Sequence, residues 1–151
     1  MKAQVGKTAP PFTLRSLTGE EISLSDFIGK KPVVVYFYPK DDTRICTAQA
    51  CSFRDNYEDF KKAGAEVIGI SSDSSDSHQQ FASKYKLPFI LLSDEDGKIR
   101  KLYGVPTTLG LIPGRVTYII DKAGIVRHIF SSQFDAQKHI LEALKVLGDI
   151  A

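Results

Sequence analysis

Cys46 and Cys51 are the only cysteines in this chain, and cysteine is the residue type here best suited to nucleophilic and redox chemistry. Two cysteines do not form the disulfide framework of a small secreted domain. In a chain able to fold without them, they are either inert core residues or reactive thiols. Position separates the two cases. Cys46 lies in the segment Tyr38-Pro39-Lys40-Asp41-Asp42-Thr43-Arg44-Ile45-Cys46-Thr47-Ala48-Gln49-Ala50-Cys51. An apolar run precedes this segment and a helical pattern follows it, and open α/β sheets place their sites just past the C-terminal ends of such strands. Cys46 is therefore expected in the first turn of a helix. Unpaired backbone N–H groups and the positive end of the helix dipole favour a thiolate there, and the thiolate is the nucleophilic form. Thr43, three residues earlier, can aim its hydroxyl at the same spot or cap the helix.

The elements that must position these residues are legible along the chain. Phe12-Thr13-Leu14 and Ile22-Ser23-Leu24 alternate around Thr18-Gly19-Glu20, the pattern of a β-hairpin. Val33-Val34-Val35-Tyr36-Phe37-Tyr38 reads as a strand buried on both faces, ended by Pro39. After a loop from Lys40 to Ile45, the stripe Ala50, Phe53, Tyr57 and Phe60 predicts a helix that stops at Gly64. A buried strand spans Ala65 to Ser71, and the Ser/Asp-rich stretch to Ser77 caps a helix reaching Tyr85. A strand at Phe89 to Leu92 and a helix near Glu95 to Tyr103 follow, then an irregular loop from Gly104 to Gly114. Val116 to Asp121 and Ile125 to Phe130 form a hairpin around Lys122-Ala123-Gly124. Ile140, Leu141, Leu144 and Leu147 mark a last amphipathic helix. Strands alternating with helices predict an α/β fold with a sheet flanked by helices, made mixed by the terminal hairpin.

Bulk properties narrow the function classes. The 151 residues suit one domain, spanning 1–151, and 42% hydrophobic residues suffice for a core without staples. With 20 basic and 18 acidic residues, the net charge of +2 gives no footprint for nucleic acid or a membrane surface. No apolar run approaches the roughly 20 residues of a membrane span. Met1-Lys2-Ala3-Gln4-Val5-Gly6 has no signal-peptide-like stretch. His78, His128 and His139 are scattered without ligand spacing and read as surface or packing residues. Gly6-Lys7-Thr8 lacks the upstream glycine and strand of a phosphate loop.

Pro39, Thr43 and Cys46 match the proline-x-x-x-threonine-x-x-cysteine signature, and in these residues the chain resembles the peroxiredoxins. Cys51, five positions on, resembles the resolving cysteine of the peroxiredoxin Q group, also called the bacterioferritin-comigratory type. Ala9-Pro10-Pro11-Phe12, Val33 to Tyr38, Ala65 to Ser71, Lys86-Leu87-Pro88-Phe89 and Pro113-Gly114-Arg115-Val116-Thr117-Tyr118 extend the resemblance over nearly the whole chain. The fold it implies is thioredoxin-like with an added N-terminal hairpin. The function it implies is thiol-dependent reduction of hydrogen peroxide and organic hydroperoxides. Cys46 would be the peroxidatic nucleophile. Cys51 would condense with its sulfenic acid to an intramolecular disulfide. Thr43 would hydrogen-bond the thiolate and the peroxide, Arg115 would stabilise charge on sulfur and on the departing oxygen, and Pro39 would shield the pocket. Each role also fits the chemistry, since breaking an O–O bond sends charge onto the leaving oxygen and fixed donors stabilise it.

The resemblance further implies a thioredoxin or glutaredoxin-like reductant, a monomer, no metal or organic cofactor, and a reducing compartment, either a bacterial cytoplasm or a plastid. One departure stands out. Peroxiredoxin Q proteins usually carry proline and glycine where this chain has Arg44 and Ile45. If glycine served a left-handed backbone there, Ile45 would displace the N–H groups that face the peroxide. Other peroxiredoxins have a bulky apolar residue before the cysteine, so activity is expected.

On a regular helix, five residues advance the axis by about 7.5 Å with a rotation of roughly 140° beyond a full turn. The two Cα atoms then lie more than about 8 Å apart, whereas a disulfide needs them within about 7 Å. Closure of a Cys46–Cys51 bond requires the helix to unwind. Two other functions fit the same thiols. A thiol–disulfide oxidoreductase ordinarily shows Cys-x-x-Cys, which this chain lacks. A redox-switched binding protein would use the unwinding without turnover.

Overall fold

The structure is a computed structural model that describes residues 2–108, 112–133 and 135–150. In chain order its elements are β1 (Thr13–Ser16), β2 (Glu21–Ser23), a 3-10 turn (Leu24–Asp26), β3 (Val33–Phe37), α1 (Arg44–Asp55), α2 (Tyr57–Lys62), β4 (Glu66–Ser71), α3 (Ser75–Tyr85), β5 (Ile90–Ser93), α4 (Lys98–Tyr103), β6 (Thr107–Thr108), β7 (Ile112–Pro113), β8 (Val116–Ile120), β9 (Val126–Ser131) and α5 (Ala136–Ile150). Seven strands form one sheet in the order β2-β1-β5-β4-β3-β8-β9. β3, β4 and β5 run parallel, while β8, β9, β1 and β2 add antiparallel pairs at the two sides. This is the mixed, thioredoxin-like α/β plan expected from the sequence, with the N-terminal hairpin joined through β1 to β5.

The continuous apolar run of β3 is explained by burial on both faces. Val34, Tyr36 and Tyr38 point to the face covered by α1, α2, α3 and α5. Val33, Val35 and Phe37 point to the other, covered by Phe12, Ile99, Tyr103 and the N-terminal segment. That alternation is the two-residue period of a strand. Gly69 of β4 makes room for one of these side chains. A Cβ there would lie 2.9 Å from both the Tyr36 ring and Leu91.

Three elements differ from expectation. The helix predicted through Phe60 is broken at Asn56, whose backbone (φ −106°, ψ 9°) separates α1 from α2. Both the Asn56 side-chain amide and its backbone N–H donate to the Ser52 carbonyl, at 2.8 and 3.1 Å. A polar side chain competing for the helical acceptor explains the break. Phe53 and Phe60 still meet across it, with ring centroids 5.5 Å apart. The region read as an irregular loop from Gly104 to Gly114 contains the paired strands β6 and β7, and its residues 109–111 lie outside the described residues. Finally, α4 starts at Lys98 because the Asp94 carboxylate takes the N–H groups of Ile99 and Arg100, at 3.1 and 2.8 Å.

Candidate active site

Tyr38 continues β3 by one bond, its N–H donating to the Ile70 carbonyl at 3.1 Å. Pro39, half-buried, then turns the chain off the sheet. Asp42 takes a left-handed conformation, φ 56°, which a short polar side chain tolerates better than most. Thr43 is extended (φ −99°, ψ 158°) and stands at the N-cap of α1. Its hydroxyl does not cap the helix but donates to the Lys40 carbonyl at 2.9 Å, which leaves no proton for the expected bond to the thiolate and leaves only its acceptor side for a peroxide. The first rung of the helix is the bond from the Thr47 N–H to the Thr43 carbonyl, 2.8 Å. The N–H groups of Arg44, Ile45 and Cys46 precede that rung and have no helical acceptor. Cys46 is the third helical residue and is 2% exposed.

Arg44 and Ile45 both lie in α1, and the non-glycine residues with positive φ among the described residues are Asp42 and Lys86. Ile45 therefore occupies ordinary helical backbone, and no left-handed position is lost by replacing glycine. Arg44 is exposed. The guanidinium that reaches the sulfur is that of Arg115.

Arg115 immediately precedes β8, which pairs with β3 through Phe37 and Val116. That register brings position 115 beside the loop leaving β3. The side chain is 3% exposed, not a strand-edge charge in solvent. Nη1 donates to the Cys46 Sγ at 3.3 Å and to the Gln49 Oε1 at 2.6 Å, and Nε donates to the Gln133 carbonyl at 3.1 Å. A permanent positive charge is thus fixed against the sulfur. Gln49 was not singled out from the sequence, although its place three residues past Cys46 puts it on the same helical face. It is fully buried, and its Nε2 has no partner among the described residues.

Behind the loop lies a polar network with no signal in the sequence pattern. The buried Asp41 carboxylate accepts from the Tyr38 hydroxyl at 2.6 Å and the Ser77 hydroxyl at 2.9 Å, and faces His78 Nδ1 at 2.7 Å. His78 is fully buried, and its Nε2 meets the Leu92 carbonyl at 2.9 Å. Asp42 takes the Lys84 ammonium at 2.9 Å and the Tyr85 hydroxyl at 2.8 Å. Those two hydrogen bonds hold its carboxyl below the usual carboxylate range. The loop is therefore fastened to both ends of α3. Burial, then the Asp41 charge, pushes the Tyr38 hydroxyl up. Burial, then the charge of Cys46, does the same for Tyr36, whose hydroxyl has no partner among the described residues. On the opposite side, His139 is fully buried. Its Nε2 donates to the Ser132 carbonyl at 2.8 Å, which leaves Nδ1 to accept from the Thr117 hydroxyl at 2.7 Å. Burial holds this imidazole below its ordinary value.

Cys51 is half-buried and, like Cys46, carries a free thiol. Both lie on the regular helix α1. Helical geometry separates their Cα atoms by more than about 8 Å, too far for a disulfide. The structure thus places Thr43 and Cys46 at one helix start with Arg115 on the sulfur and Pro39 in the loop that leads there, and leaves Cys51 more than a turn away. What the arrangement can do is present a sulfur nucleophile at the start of a helix, with the Arg115 guanidinium fixed against it and, among the described residues, no salt-bridge partner drawing that guanidinium away.

A model of the AhpC/TSA family matches residues 5–129. The chain is 61% identical over 150 residues to a Sedum lineare protein named peroxiredoxin Q, chloroplastic, covering 99% of this chain and 80% of that one. Among solved structures, it superposes on the Mycobacterium tuberculosis peroxidoxin BcpB with a TM-score of 0.91 and 34% identity, over 99% of each chain. It also superposes on the Xanthomonas campestris bacterioferritin comigratory protein, in a structure concerned with alkyl peroxide reduction. That match has a TM-score of 0.85 and 28% identity, covering 92% of this chain and 91% of that one.

Proposed function

The chain belongs to the AhpC/TSA family as a peroxiredoxin of the Q type, a thiol-dependent peroxidase, and we propose the residues and steps by which it works. Cys46 attacks as a thiolate on one oxygen of a hydroperoxide. An S–O bond forms, the O–O bond breaks, and two electrons leave sulfur. With one proton taken up from solvent, the products are a sulfenic acid on Cys46 and an alcohol or water. Arg115 stabilises both the thiolate and the charge on the leaving oxygen, the free N–H groups at the start of α1 add to that field, and Pro39 keeps water from the approach. The observation that carries this reading is the Arg115 contact to the Cys46 sulfur, 3.3 Å, at a buried helix start.

Cys51 then displaces hydroxide from the sulfenic sulfur. The thiol proton leaves with it as water, and the Cys46–Cys51 disulfide remains. That step unwinds the first turns of α1, because the helical spacing forbids the bond. A dithiol of thioredoxin or a glutaredoxin-like protein attacks the disulfide, leaves two thiols here, and departs as its own disulfide. Hydrogen peroxide and organic hydroperoxides are the substrates, a range supported by the alkyl peroxide chemistry of the Xanthomonas neighbour. A monomer of one domain, residues 1–151, suffices, since both sulfurs lie on one helix. Chloroplastic relatives support work in a plastid.

The test is peroxide consumption coupled to NADPH through thioredoxin reductase and thioredoxin. Turnover with both hydrogen peroxide and an alkyl hydroperoxide is expected, with none for Cys46→Ser. Absence of turnover in the unmodified chain would reject the thioredoxin-linked cycle. A stoichiometric single oxidation without turnover would retain Cys46 and reject the reductant.

A further inference from the structure

We propose that Asp73, in the loop between β4 and α3, is a positioning residue for the peroxide step, acting on Thr43 through a single peptide unit. The inference rests on the peroxidase reading of Cys46. The Asp73 Oδ2 accepts the N–H of Asp41 at 2.8 Å. That N–H belongs to the Lys40–Asp41 peptide, and the carbonyl of the same peptide accepts the Thr43 hydroxyl at 2.9 Å. A peptide unit is planar, with its C=O and N–H fixed in one plane and pointing opposite ways. Holding the N–H therefore holds the carbonyl, and the carbonyl holds the hydroxyl proton.

Asp73 is itself oriented from the sheet. The hydroxyl of Ser71, the last residue of β4, donates to the same Oδ2 at 2.7 Å and accepts the Asp73 N–H at 3.2 Å. Asp41 anchors its own side chain to Tyr38, Ser77 and His78, but those bonds leave the peptide plane free to tilt. Asp73 is the group that takes the peptide N–H.

The consequence lies in the inventory of one hydroxyl. Threonine has one proton to donate and two lone pairs to accept with. With its proton committed to the Lys40 carbonyl, Thr43 offers only an acceptor to anything above the helix start. An alkyl hydroperoxide brings one O–H and hydrogen peroxide two, and a thiolate brings none. The hydroxyl so fixed accepts the peroxide proton and orients the O–O bond for attack, which is a requirement of peroxide and not of other electrophiles. Alkylation by iodoacetamide needs the same thiolate but no acceptor for a proton.

The test compares two electrophiles on Cys46 alone, in the full chain carrying Cys51→Ser. Stopped-flow rate constants are measured with hydrogen peroxide and with iodoacetamide. Asp73→Ala is expected to slow the peroxide reaction about tenfold, the size of one lost hydrogen bond, with alkylation changed less than about twofold. Asp73→Asn, which keeps an acceptor oxygen, recovers most of the loss. Ser71→Ala, which only loosens Asp73, gives a smaller selective loss and supplies the answer if Asp73→Ala does not fold. In a Thr43→Val background, Asp73→Ala adds nothing further. Equal slowing of both electrophiles would overturn the proposal in favour of a general role in folding, and no slowing would overturn it outright. A wild-type chain that alkylates but ignores peroxide would overturn the peroxidase reading along with it. An unaffected Asp73→Ala variant of a reactive chain would overturn this inference alone.

Discussion

The first and second turns of α1 hold their sulfurs in opposite circumstances. At Cys46 the sulfur is 2% exposed, receives a guanidinium N–H, and stands where the backbone offers donors with no helical acceptor. Cys51, one and a half turns on, is half-buried, its backbone already inside the helical ladder. Beyond it the helix is tied by Phe53, fully buried and stacked on Tyr36, and by hydrogen bonds from the Ser52 hydroxyl to Gln137 Oε1 at 2.8 Å and from Arg54 Nη1 to the Tyr85 carbonyl at 2.7 Å. The difference teaches that one helix serves two incompatible needs. In the proposed cycle its first turns must hold the sulfur beside Arg115 for the attack, and the same turns must unwind for Cys51 to reach that sulfur.

The sharpest break in the comparison is to remove each sulfur in turn. Cys46→Ser should abolish peroxide reduction in any assay. Cys51→Ser should keep the first oxidation at close to the unmodified rate, seen as a stoichiometric burst, and lose sustained turnover with thioredoxin. If Cys51→Ser slowed the burst as well, the two turns would not be separable. The next largest effect belongs to the guanidinium. Arg115→Met removes the donor from the sulfur and leaves Gln49 Oε1 unpaired, so Cys46 oxidation should slow by about 10²–10³-fold in stopped flow. An Arg115→Met rate within threefold of the unmodified chain would show that the helix start alone supplies the activation.

The dryness of the Cys46 side is open to titration through His139. Its folded value lies below the ordinary 6.5, because burial and then the Arg115 charge oppose the imidazolium. As pH falls, the unfolded chain takes up that proton first. Stability should be intact above the ordinary value and be lost as pH falls from there toward the lowered folded one. Urea midpoints measured from pH 8 to 4.5 should decline on the acid side, and His139→Gln should flatten that decline. The smallest effect concerns the yielding half of the helix. Arg54→Ala removes the tie to Tyr85 and should speed disulfide closure after a peroxide pulse by about two- to fivefold, without altering the oxidation that precedes it.

Much of this comparison could be read before the fold was known, for stated reasons. The strand β3 announces itself because burial on both faces demands six apolar residues in a row. Cys46 announces itself because a strand end, a proline and a helical stripe place it at a helix start. Arg115 needed more. Only the family resemblance singled it out, and only the pairing of Phe37 with Val116 explains why it is buried and not at a wet edge. Asp41 and His78 stayed hidden because their bond spans 37 residues of sequence, and an aspartate after a lysine and proline reads as an ordinary turn residue. The break at Asn56 does carry a signal in the sequence, a residue whose short amide competes with the helical backbone. The apolar stripe runs straight through it, since Phe53 and Phe60 pack together despite the interruption.

In the proposed cycle, that break bounds the part of the molecule that disulfide closure disturbs. Hydrogen bonding within α1 ends at the Asn56 N–H, and the Asn56 carbonyl starts the ladder of α2 by accepting from Asp59 and Phe60 at 3.0 and 3.2 Å. In that cycle the unwinding of the first turns therefore stays within α1, Arg44–Asp55. α2 can keep Phe60 buried, and through it the entry to β4, while its neighbour is open. A continuous helix would transmit the unwinding to the strand that the parallel sheet is built upon. In the proposed cycle the asparagine works as a firebreak, and the first turns of α1 can unwind without carrying the opening into α2 and β4.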